Sequence, residues 1–292
     1  ARAVYKTITL DTRQYKRFKM FVHAEEMIDG ENIPDNRLYA FVRFGSDFTE
    51  NYYEYRIPLK ITPAGAIDQY SVWPQANNFD FEFEMLTNLK LERDKKRNAG
   101  QVRYNERYTK MHGNNTMAVI GSPSFGDISS MMIGIVNEDD VTHNAEIWVN
   151  EMRMSGYDEE GGWAAIANLG IVFSDLGSLT VGGQIETVGF GNIEDNITDR
   201  NQEDFYEYNI TAAVQLGKLF PEKAKVNLPF TYTRTHQRTS PKYDPMNTDT
   251  ELSKTLDNFD HEKEKDSIKA MSQTDKVYQS YTLNNVRVGI TS

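Results

Sequence analysis

The sequence predicts an all-β protein. Residues 1–155 read as an antiparallel β-sandwich of jelly-roll type, and residues 156–292 as a run of amphipathic antiparallel strands. Three observations carry this. Apolar and polar residues alternate with a period of two through most segments, which puts successive side chains on opposite faces of a pleated strand. The chain holds 16 Tyr and 15 Phe, types favoured on pleated, half-buried surfaces. Turn signals such as "DGENIPDN", "TPAG" and "HGNN" recur between the alternating runs, as sandwiches and barrels require.

In chain order, "RFKMFVHAE" sets Phe18, Met20 and Val22 against Lys19, Phe21 and His23. "RLYAFVRFG" follows more loosely. "NYYEYRIPLKI" sets Tyr53, Tyr55, Ile57, Leu59 and Ile61 against Tyr52, Glu54, Arg56 and Lys60. "FDFEFEM" does the same with Phe79, Phe81, Phe83 and Met85 against Asp80, Glu82 and Glu84. Residues 86–100, "LTNLKLERDKKRNAG", read as a polar strand end running into a loop, and "EIWVNEMRM" as the last strand of the sandwich. "SGYDEEGG", residues 155–162, reads as a hydrated turn whose glycines permit a sharp redirection, with Trp163 next in the chain.

Beyond it the texture changes. Leu169, Ile171 and Phe173 oppose Asn168, Gly170 and Ser174; Leu179, Val181 and Ile185 oppose Thr180, Gln184 and Glu186. Ile210, Ala212, Val214 and Leu216, with Tyr206 and Tyr208, oppose Glu207, Asn209, Thr211 and Gln215. Val226, Leu228, Phe230 and Tyr232 repeat the pattern, as do Val286, Val288 and Ile290. Pro229 donates no hydrogen bond and suits an edge, a bulge or a rim. Residues 251–276 are charged and read as a solvated loop or short surface helix. Apolar residues on one face, polar ones on the other and tyrosines near the ends form the pattern of transmembrane β-strands, with lipid outside and water inside. An ordinary sheet with one wet face alternates in the same way, so periodicity leaves both open.

Composition excludes several classes. Cysteine is absent, which removes disulfides, thiolate zinc sites and cysteine nucleophiles. A net charge of -11 argues against a nucleic-acid partner, because phosphate neutralisation needs clustered Lys and Arg. No apolar run approaches the roughly 20 residues of a membrane helix. The chain begins at Ala1 without a leader, as expected of a mature product or an internal piece.

Chemistry is hard to find. His23, His112, His143, His236 and His261 are scattered and form no metal-binding pair. "GSPSFG" misses the spacing of a nucleophile elbow, and "GFGNIE" places Glu194 where a dinucleotide motif needs glycine. The acidic stretches "NEDD", "YDEE" and "YDPMNTDTE" read as solvated turns. No catalytic residue, metal ligand or cofactor is expected, and the chain is not read as an enzyme. An alternative is a secreted two-domain β-protein binding glycans, with Tyr52, Trp73 and Trp148 stacking on sugars.

The segments "FVRFGSDFTENYYEYRIPL", "EIWVNEMRMSGYDEEGGWAA", "GFGNIED", "LGKLFPEK" and "PKYDPMNTDTEL" occur in order from about residue 38 to 252. Together they resemble the SprA (Sov) family, the outer-membrane translocon of type 9 secretion and gliding motility in the Bacteroidetes. The resemblance implies a very large transmembrane β-barrel that exports folded cargo. On that basis residues 1–155 are an inserted sandwich on the periplasmic or extracellular side, and residues 156–292 part of the barrel wall. Leu169, Ile171, Phe173, Leu179, Val181, Ile185, Ile210, Ala212, Val214 and Leu216 would face lipid. Thr180, Gln184, Glu186, Asn209, Thr211 and Gln215 would face the pore. Implied partners are the remainder of the barrel, a PorV-like shuttle protein, a plug protein and cargo with a C-terminal sorting domain, in an outer membrane. A barrel of that width needs far more strands than this chain holds, so residues 156–292 would continue into further barrel strands, pair with another chain or fold differently outside the membrane.

Overall fold

A computed structural model describes residues 1–27, 32–103, 105–194, 199–257, 259 and 261–289. Its chain forms two compact units, one of Ala1–Asp158 with Asn247–Asp249, the other of Glu159–Met246 with Thr250–Ser292.

The first unit contains β1 (Arg2–Leu10), β2 (Tyr15–Glu26), β3 (Leu38–Gly45), β4 (Tyr52–Pro58), a short helix α1 (Gln69–Val72), β5 (Phe79–Glu82), α2 (Phe83–Asn98), β6 (Tyr108–His112), β7 (Asn115–Ile120), β8 (Ile128–Asn137) and β9 (Ala145–Tyr157). One antiparallel sheet runs β1-β8-β3-β4-β7-β6, and a second runs β5-β2-β9. The two pack face to face through Phe18, Met20, Val22 and Ala24 of β2 and Val42, Phe44, Tyr53, Tyr55 and Ile57 of β3 and β4. Ring contacts tie the sheets together, Phe18 edge-on to Phe44 at 5.2 Å and Tyr55 stacked on Phe81 at 4.1 Å. Each such buried side chain contributes about 1.5–3 kcal/mol relative to exposure.

A jelly roll pairs four strands with four; here six strands face three. The difference is α2, which packs against β7, β2 and β5 and extends the thinner layer beyond β5. The expected strand and loop at residues 79–100 is therefore corrected: the alternation ends at Glu82 and a 16-residue helix begins at Phe83. Phe83, Leu86, Leu89, Lys90 and Arg93 are its buried positions, a spacing of three and four that lines one helical face. Glu92 and Lys96 pair at 3.2 Å one turn apart, and three basic residues in the last turn suit the negative helix end. Gly100, with φ +72, supplies the left-handed residue that stops the helix.

The outer face of the larger sheet is not the simple wet face that the alternation predicts. Tyr52 and Glu54 are buried there as well. Arg43 lies over the rings of Phe41 and Tyr52, at 4.9 and 4.2 Å, and Glu54 accepts from Arg43 at 2.6 Å, from Arg56 at 3.2 Å and from Arg107. Burial alone would raise the Glu54 carboxyl; the guanidiniums of Arg107, Arg43 and Arg56 outweigh it and hold the group below the ordinary carboxylate value. A carboxylate whose folded pKa is depressed stabilises the fold above its unfolded value and loses that contribution as pH falls through the folded one. Glu54→Gln should therefore destabilise this unit most at pH 7, with the gap to wild type closing towards pH 3. Urea unfolding at both pH values checks this, and a constant gap would refute it.

The second unit contains β10 (Ala164–Phe173), β11 (Gly177–Glu186), β12 (Glu203–Gln215), β13 (Val226–Asn227), β14 (Pro229–Pro241), β15 (Tyr243–Asp244), β16 (Asn247–Glu251, whose first three residues belong to the first unit), α3 (Leu252–Asp257), α4 (Glu262–Ser272), β17 (Thr274–Leu283) and β18 (Arg287–Val288). A five-stranded antiparallel sheet runs β10-β11-β12-β14-β17. Within residues 251–276, expected as a solvated loop or short surface helix, lie α3, the exposed helix α4 and the start of β17, of which the strand was not expected. Val226 belongs to a separate two-residue strand paired with β18, and Pro229 opens β14, the strand position where a missing N–H costs least. The "YDPMNTDTE" stretch is a hairpin, and Asp244, Asp249 and Thr250 are buried rather than solvated. Ile290 lies outside the described residues.

Candidate functional site

The five-stranded sheet has an unbroken register. Leu169 pairs with Val181, Val181 with Ile210 and Ile210 with Arg234; paired residues share a face, and residues two apart along a strand share it too. That rule brings Leu169, Ile171, Phe173, Leu179, Val181, Ile185, Ile210, Ala212 and Val214 onto one face. Leu216 leaves it: β12 ends at Gln215, and Leu216 opens a 3-10 turn. The opposite face collects Thr180, Gln184, Glu186, Asn209, Thr211 and Gln215. Its lining is hydrophilic throughout β14, where Thr231, Thr233, Thr235, Gln237 and Thr239 occupy every second position. Gly182 sits between Asn168 and Asn209, where a Cβ would lie 2.7 Å from each Oδ1 and would push the two amides aside.

Neither face belongs to a core. The connected cluster of buried hydrophobic residues draws every member from the first unit. In β10 each residue is exposed, Leu169 at 59% and Val172 at 76%, and β17 is almost as bare. Among the described residues, β10 and β17 pair on one side only. Two long strands thus present open rows of backbone donors and acceptors, a feature that compact soluble folds normally blunt.

Sequence reading stopped short of one part of the apolar face. Towards residues 204–206 it becomes polar and aromatic: the Tyr208 ring stands edge-on to His236 at 5.2 Å, and Asp275 on β17 accepts from Arg238 at 2.8 Å and pairs with His236. Tyr206 and Arg238 help to line a shallow hollow there. Arg234 interrupts the apolar row beside Ile210, and its Nε is buried without a hydrogen-bond partner. The alternating threonines of "FTYTRTHQR" were the signal for this strand, because they leave Phe230, Tyr232, Arg234, His236 and Arg238 together opposite them.

Of the residues of the glycan alternative, Trp73 and Trp148 lie on one face of the β2–β9 sheet beside His23, while Tyr52 lies on the other sheet. Tyr52 is buried there, Trp73 packs on Phe21 and His23, and Trp148 is exposed on β9. Among the described residues, no three His, Cys, Asp or Glu are placed to hold a metal ion, and no helix is long and apolar enough to cross a membrane.

Among the described residues, the antiparallel sheet is amphipathic and pairs with no further strand at either edge. Five strands are too few to close on themselves, since the smallest closed membrane barrels use about eight. The pattern that defines the SprA_N family, described as motility related/secretion protein, matches residues 1–256. The chain belongs to that family and is therefore related to motility and secretion. Comparison with curated proteins returns no match.

Proposed function

We propose that β10, β11, β12, β14 and β17 are a stretch of the wall of a protein-conducting outer-membrane β-barrel. The observation that carries this reading is the sheet itself, apolar on one face, polar on the other and, among the described residues, uncovered on both and unpaired at both edges. Lipid would lie against Leu169, Val181 and Ile210, and water against Thr180, Asn209 and Thr211. Each edge strand would pair with a further barrel strand, because a bare backbone group in hydrocarbon costs several kcal/mol. The β14–β17 side, where Arg234 and Gln279 replace aliphatic residues, would abut protein rather than lipid. A porin of about 16–18 strands leaves only an aqueous channel, so a conduit for folded cargo requires many strands from outside this chain.

In this reading the chain supplies wall rather than chemistry, without catalysis or cofactor. Its first partner is the rest of the barrel. The family resemblance adds a PorV-like shuttle protein, a plug protein and cargo with a C-terminal sorting domain. Fractionation of cells tests the proposal: the protein should sediment with outer membranes, resist alkaline extraction and enter solution only with detergent. A stable detergent-free monomer would overturn it. Glycan binding that is lost in Trp148→Ala would favour the alternative instead.

A further inference from the structure

The two ends of the five-stranded sheet are built differently. At one end the connections are the shorter of each successive pair, residues 174–176 between β10 and β11 (against 187–202) and residues 216–228 between β12 and β14 (against 242–273). The longer ones lie at the other end. In transmembrane barrels of the bacterial outer membrane, short turns face the periplasm and long loops the exterior.

The short-connection end also carries an ordered, greasy, basic knuckle. Residues 216–228 fold into two 3-10 turns, Leu216–Leu219 and Glu222–Ala224, followed by β13. The Leu216 N–H donates to the Leu228 carbonyl at 2.9 Å and the Phe220 N–H to the Gly217 carbonyl at 3.2 Å. Gly217 lies so close to β13 that a Cβ there would meet the Val226 carbonyl at 2.2 Å. Pinned in this way, the knuckle holds Leu219 and Phe220 out, 71% and 49% exposed, with Leu176 at 40% beside the same end. Lys218, Lys223 and Lys225 lie on the knuckle itself and Arg287 on β18, which pairs with β13; the acids at this end are Asp175 and Glu222. Lys218 donates to Asp175 at 2.7 Å; the other three cations exceed the acids that remain.

The last row of the apolar face, Phe173, Val214, Phe230 and Leu283, runs into this end without a polar break. An exposed apolar tip carried on the same knuckle as these lysines suits the boundary between headgroups and acyl chains, where aliphatic and aromatic groups are buried and ammonium groups meet phosphates. We propose that the Leu216–Leu228 knuckle is a membrane-surface anchor that binds anionic phospholipid on the periplasmic side and fixes the sheet's vertical position and direction. The inference rests on the wall reading above and adds to it a site, a ligand class and a sidedness.

The absence of cysteine lets single introduced thiols report position. Phe220→Cys, Ile193→Cys and Val181→Cys would each be labelled with an environment-sensitive fluorophore in the intact assembly, reconstituted into vesicles of phosphatidylethanolamine and phosphatidylglycerol. Spin-labelled lipids should quench the probe at 220 from headgroup depth and the probe at 181 from mid-chain depth, leaving the probe at 193 bright. Lys223→Glu with Lys225→Glu should relieve quenching at 220 alone. On intact cells, a membrane-impermeant maleimide should modify position 193, and position 220 only after permeabilisation. If position 181 is quenched but 220 is not, or if 220 is modified in intact cells and 193 is not, the anchor is overturned while the wall stands. If 181 is not quenched, the wall reading itself fails.

Discussion

Val181→Arg is expected to abolish membrane assembly, while Thr180→Arg, one residue away, leaves it intact. Val181 sits in the middle row of the apolar face, flanked by Leu169 and Ile210 across the strands and by Leu179 on its own. None of these side chains accepts a hydrogen bond. An arginine on the lipid face near the bilayer midplane costs about 2–4 kcal/mol, falling towards the interfaces. Thr180 points to the other face, among Gly170 and Thr211, where a guanidinium stays in water. The existing Arg234 lies in the same row beyond Ile210, on the β14–β17 side where Gln279 faces it, rather than among the aliphatic side chains that flank position 181. Membrane-fraction yield and heat-modifiability of both variants check the prediction. Equal behaviour would reverse the assignment of the two faces.

The largest effect on folding should come from Asp249→Ala. This carboxylate is fully buried in the first unit, 3.1 Å from the Lys90 ammonium and 2.5 Å from the Tyr53 hydroxyl. Lys90 also donates to the Pro123 carbonyl at 2.8 Å. Burial and the neighbouring Asp249 push the Tyr53 hydroxyl well above its ordinary value, so it remains a donor. Removing the carboxylate strands a buried ammonium, at a cost of about 3–5 kcal/mol. Lys90→Met combined with Asp249→Leu and Tyr53→Phe, which removes the hydroxyl that Asp249 accepts from, should recover most of that loss, since a well-packed apolar cluster replaces a buried ion pair at little net cost. Denaturant unfolding of the two variants tests this. A single variant within about 1 kcal/mol of wild type would mean that the pair behaves like an exposed one.

What could be read from the sequence followed from how clean each local pattern is. β2, β4, β10, β11 and β12 were legible because one face of each is apolar over most of its length, so the period of two survives. α2 was not, since its inward face includes Lys90 and Arg93, which flatten the hydropathy wave that marks an amphipathic helix. β17 was missed because Asp275, Val277, Gln279, Tyr281 and Leu283 share a face and mix every polarity. Asp249 looked like part of a solvated turn, as its cation partner is 159 residues away and nothing local announces it. The candidate faces emerged almost whole from periodicity. Leu216 fell outside because the backbone leaves the strand at Gln215, and the Tyr208–His236–Asp275 group needed the β12–β14–β17 register to be assembled.

A density map of the intact assembly in lipid nanodiscs tests the central claim most directly. It should show β10 and β17 each hydrogen-bonded to a strand from outside residues 164–283, with annular lipid against Leu169, Val181 and Ile210 and solvent against Thr180, Asn209 and Thr211. A map in which that apolar face is packed against protein in an aqueous domain, with no lipid beside it, would contradict the claim.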